Sequence, residues 1–70
     1  MSVDKELLNQ SIRRFLKEVG IKSHQTLEHS ILEQADKLSD TVAIKVTMTL
    51  EVDSLELEQR VEGLLSLRDQ

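Results

Sequence analysis

The run "TVAIKVTMTLEV", Thr41 to Val52, alternates without a fault: Val42, Ile44, Val46, Met48, Leu50 and Val52 share one face, and Ala43, Lys45, Thr47, Thr49 and Glu51 share the other. Such a period of two specifies a half-buried β-strand. One strand leaves a full row of backbone N–H and C=O groups without partners, so the chain must supply or recruit a second. The segment that follows, "LELEQRVEGLLSLRD", reads at two periods. As a helix it has a stripe of Leu57, Val61, Leu64 and Leu65, with Asp53 and Glu56 as a capping box. As a strand it places Leu55, Leu57, Val61, Leu65 and Leu67 on one face.

Pairing favours the strand. A turn at Asp53-Ser54 sets Val52 opposite Leu55, Leu50 opposite Leu57, Val46 opposite Val61 and Val42 opposite Leu65, so apolar meets apolar. The other face then pairs Lys45 with Glu62, Thr47 with Arg60 and Thr49 with Glu58, a surface suited to water. Glu51 opposite Glu56 sets like charges together next to this turn, a warning that a looser turn would relieve them. Gly63 falls opposite Ile44, where it reads as a bulge, as a place of close backbone approach, or as a weak spot in the strand.

Upstream, Leu8, Ile12, Phe15, Leu16 and Val19 recur at spacings of three and four, which predicts an amphipathic helix over Val3 to Val19 capped by Ser2 or Asp4. Gly20 stands where a left-handed residue commonly ends a helix, with Ile21 placed to pack back on the last turn. Ser23 offers a new N-cap, and Leu27, Ile31, Ala35 and Leu38 form a second stripe. The expected fold is therefore α+β, a two-helix hairpin followed by an antiparallel β-hairpin (α-α-β-β). Both helices are expected on the face formed by Val42, Ile44, Val46, Val61 and Leu65, with the Phe15 ring in the core.

A chain of 70 residues is read as one small domain, residues 1–70, close to the lower size at which a single core carries folding alone. The sequence has no Cys, so neither disulfides nor a Cys-based zinc site adds stability. Packing quality or association must then do so. The acidic, discontinuous N-terminus does not read as a signal peptide, and no run approaches a membrane span, which gives a cytoplasmic protein without membrane contact as the expectation.

Two helices joined at Gly20 also raise the possibility of a helix-turn-helix, with His24, Gln25, Thr26 and Glu28 set against base edges. Charge argues against it. The net charge is −4, distributed as +1 up to Glu18, −2 from Lys22 to Asp40 and −3 from Thr41 onward. Glu28, Glu33 and Asp36 of the second helix would face phosphate. The two histidines, His24 and His29, point about 140° apart on a helix and cannot share a metal. No Gly-rich phosphate loop, nucleophile elbow or metal-ligand motif occurs, so no catalytic, cofactor-binding or metal residue is assigned. Candidate contact residues are the basic cluster Arg13, Arg14 and Lys17, read otherwise as a solvated face, together with Gly63 and Leu64 on the second strand.

The segment "SIRRFLKEVGIKSHQTLE", Ser11 to Glu28, with "RVEG" at Arg60 to Gly63, resembles a family of short bacterial proteins of unknown function that run Ser-Ile-Arg, an aromatic, Leu-Lys, Val-Gly and later Val-Glu-Gly. The resemblance implies a small α+β domain with β structure from Val61 to Leu67, and it transfers no functional residue. Leu64 departs from the family's polar preference there. The function expected from all this is a non-catalytic interaction or accessory module that needs no cofactor. Its partner is itself, as a homodimer joined through the strand edge from Leu57 to Leu67, or an unidentified protein. The alternative is a nucleic-acid-binding regulator using the helix pair Leu7 to Leu38.

Overall fold

The computed structural model describes residues 2–68. They fall into two compact units, a helical one ending at Lys37 and a hairpin beginning at Leu38.

The helical unit is built on one helix, α1, Lys5–Glu33. Its 29 residues span about 43 Å. Asp4 caps the front, its side chain accepting from the Leu7 N–H at 3.1 Å. At the far end the Gln34 N–H is shared between the carbonyls of Ser30 and Ile31, both at 3.2 Å. A single 3-10 turn, Ala35–Leu38, follows.

The expected break at Gly20 is not there, and the two-helix hairpin is corrected to one continuous helix. The α+β character stands, in the order α-β-β. Gly20 has no positive φ and sits in the helix interior, where it costs about 1 kcal/mol relative to Ala. A break would cost more, since it leaves up to four N–H and four C=O groups without intrahelical partners. The chain contains no Pro to force one. The two apolar stripes are also in phase, because Ser23 stands four residues from both Val19 and Leu27. The Lys22–Glu18 pair, 3.8 Å apart, bridges the turn that contains Gly20.

The hairpin unit pairs β1, Ala43–Val52, with β2, Leu57–Ser66, antiparallel. The two-strand reading of the C-terminal half is therefore what forms. Its register differs from the expected one by two residues: Val52 pairs with Leu57, Leu50 with Gln59, Met48 with Val61, Val46 with Gly63 and Ile44 with Leu65. Alternation fixes which face each side chain joins, but a slip of two residues leaves every face unchanged, so the turn decides. Asp53-Ser54 lacks the Gly or Asn that two-residue turns require. The chain instead makes a 3-10 turn over Asp53–Leu55 and reverses at Glu56 with φ 50°, its N–H donating to the Asp53 carbonyl at 3.1 Å. Glu51 meets Glu58, not Glu56, and Gly63 lies opposite Val46, not Ile44, within a regular ladder.

The open end of the hairpin is tied as well. The Leu67 N–H donates to the Val42 carbonyl at 2.7 Å. The Arg68 guanidinium donates to the carbonyls of Leu38, at 2.7 Å, and Thr41.

Among the described residues no side chain is buried. This corrects the expected core: Phe15 is 53% exposed and Val61 57%, while Val42, Ile44, Val46 and Leu65 are half-buried. A single helix has no second helix to close over its stripe, and a two-stranded sheet has no opposing layer of its own.

Candidate functional site

Every candidate residue on the helical unit takes its direction from the turn angle of α1, about 100° per residue. Leu8, Ile12, Phe15, Leu16, Val19, Ser23, Leu27 and Ile31 fall in one sector about 160° wide. In that sector Leu8, Ile12, Phe15 and Leu16 are exposed, and Val19, Ser23, Leu27 and Ile31 are half-buried. Arg13 and Lys17 border one side of the sector, about 40° apart, while Arg14 points about 100° away from Arg13. Lys17 lies between them, about 40° from Arg13 and 60° from Arg14, so the three basic residues share one arc about 100° wide. Three further apolar side chains, Leu7, Ile21 and Leu32, line a narrow track on the back of the helix, the last of them 70% exposed. That track escapes a search at spacings of three and four because its members stand 14 and 11 residues apart, and it becomes visible only once the helix is continuous.

The histidines lie on separate faces, as spacing dictates. His24 Nε2 is 3.9 Å from Glu28 Oε2, and His29 Nε2 is 3.3 Å from Glu33 Oε2. These are i,i+4 pairs of a solvated helix surface. Among the described residues no group of three or more His, Cys, Asp or Glu side chains is placed to hold a metal ion. The residues that a helix-turn-helix would project into a groove, His24 to Glu28, lie in mid-helix, and the turn that defines such a motif is missing.

On the hairpin the two candidates separate. Gly63 lies on the apolar face beside Val46, and Leu64 on the opposite face beside Lys45. Leu64 is 74% exposed. Gly63 has open space where a Cβ would stand. The Lys45–Glu62 ion pair, expected as a directly opposed pair, forms diagonally at 3.4 Å after the register slip. Two residues of consequence take roles that their sequence context did not suggest. Arg68 ties the end of β2 to the segment before β1, and Glu56 takes the left-handed position of the turn. Among the described residues no helix is long and apolar enough to cross a membrane.

The described surfaces present an apolar sector rimmed by charge on α1, and two strands whose outer edges carry unpaired backbone groups. Neither curated proteins nor solved structures provide a match to the chain. A family model does, over residues 3–68, and the chain belongs to that family of unknown function, DUF6494.

Proposed function

We propose that the protein is a non-catalytic interaction module that acts through its surface, and that its first partner is a second copy of itself. One observation carries this reading: apolar residues make up 39% of the sequence, yet no described residue is buried. Taken unit by unit, α1 exposes Leu8, Ile12, Phe15 and Leu16, and the hairpin exposes Met48, Val61 and Leu64. Closed two-fold pairing covers such surface with no added sequence, since each patch meets its own copy.

Light scattering on the purified chain at micromolar concentration tests the reading. A mass of twice 8.0 kDa is expected. A mass that stays at 8.0 kDa up to the highest concentration reached overturns it.

A further inference from the structure

Resting on the self-association just proposed, we infer that the contact is an antiparallel seam between two copies of α1, with its two-fold axis between Val19 and Gly20. Three features of the helix point to this one arrangement.

The first is apolar register. With the axis at that place, Leu8 lies opposite Ile31 of the second copy, Ile12 opposite Leu27, and Val19 opposite Gly20. Leu16 meets Ser23, the one polar residue in the row. Pairing in a parallel sense sets each residue against itself, apolar on apolar except where Ser23 meets Ser23, so apolar matching permits either sense and charge separates them.

The second is charge. From Lys5 to Val19 the helix carries +2, and from Gly20 to Glu33 it carries −1. An antiparallel seam lays the basic half on the acidic half and opposes the two helix dipoles, whereas a parallel seam stacks like on like. In antiparallel pairs the same flank of each helix meets across the axis. On one flank Arg13 then comes beside Glu28 of the second copy, and on the other Glu18 comes beside Lys22. Symmetry repeats both contacts.

The third is Gly20. A Cβ built there meets nothing within 4 Å in its own chain, and φ is not positive, so neither space nor backbone conformation in the single chain calls for glycine. Beside a two-fold axis a missing Cβ lets two helix backbones approach closely.

Because the chain has no cysteine, single-cysteine variants of the full protein report the geometry directly. Leu8→Cys and Ile31→Cys, purified separately, mixed and oxidised, are expected to give a mixed disulfide dimer at least tenfold faster than either variant links to itself. Self-linking of Leu8→Cys at the mixed rate means a parallel seam and overturns the inference. Arg13→Glu is expected to weaken association about tenfold and the double variant Arg13→Glu with Glu28→Arg to restore it; failure of the double variant to recover overturns the pairing. Leu64→Lys, on the hairpin's outer face, is expected to leave the mass at twice 8.0 kDa. Should Leu64→Lys dissociate the dimer while the α1 variants do not, the seam lies on the strand edge, and self-association survives while this inference fails. A wild-type mass of 8.0 kDa removes both.

Discussion

The helix and the hairpin satisfy their backbones on different length scales. In α1 each hydrogen bond joins residues four apart, so Lys5–Glu33 is assembled entirely from local decisions. In the hairpin the bonds reach from the turn out to Ala43 and Ser66, and their placement depends on a loop that is not itself part of the ladder. Yet neither region buries a side chain. Backbone pairing and core formation are thus separate achievements in this chain: the first is complete within each unit, and the second is left open on both.

The sharpest way to break that comparison is Gly20→Pro. It removes an intrahelical hydrogen bond and clashes with the preceding turn, at a cost of about 3 kcal/mol. Circular dichroism should lose much of its helical signal, while cross-strand contacts such as Met48 to Val61 remain in NMR spectra. Simultaneous loss of both signals would show that the two regions melt as one. A smaller, opposite effect is expected at the turn. Glu56 holds φ at 50°, a region that costs a residue with a Cβ about 1 kcal/mol. Glu56→Gly should therefore stabilise the hairpin by that amount, seen as slower amide exchange in the Val52–Leu57 pair with α1 unaffected. The smallest effect belongs to the exposed Lys45–Glu62 pair. Lys45→Gln should change stability by no more than about 0.5 kcal/mol, and a thermal melt displaced by more than a few degrees would give that pair a weight which surface ion pairs seldom have.

The same contrast governs what could be read in advance. The first strand was legible because alternation over Val42 to Val52 has no competing explanation, and the facing of every β1 residue follows from it; the second, which also reads as a helix, was legible only through its pairing with the first. The register was not, because Leu50 opposite Leu57 and Leu50 opposite Gln59 keep identical faces, and only the turn at Asp53–Glu56 chooses between them. On the helix the error ran the other way. Gly20 followed by Ile21 and Ser23 carries every local mark of a stop, but these are marks of tolerance, not compulsion. A glycine penalty of about 1 kcal/mol yields to the hydrogen bonds of a continuous helix. The candidate surface was legible as composition, in Arg13, Arg14 and Lys17 and in Leu64. Its geometry was not, since the direction of each side chain past Gly20 depends on whether the helix continues. A cap at Ser2 or Asp4 was readable from their place before the first apolar turn, and Asp4 is the one that takes it. Arg68 was not, for its partners are backbone carbonyls that carry no side-chain signature.

That arginine has a bearing on the order in which the hairpin assembles. Its contacts to Leu38 and Thr41 span 30 and 27 residues, the widest loop closures described in the unit. Closure entropy rises with loop length, so contacts near the Asp53–Glu56 turn come first and the ladder zips outward from them. The Arg68 grip then forms last and opens first. Fraying starts at the end where the chain passes from the helical unit into β1, leaving the turn as the most persistent part of the hairpin.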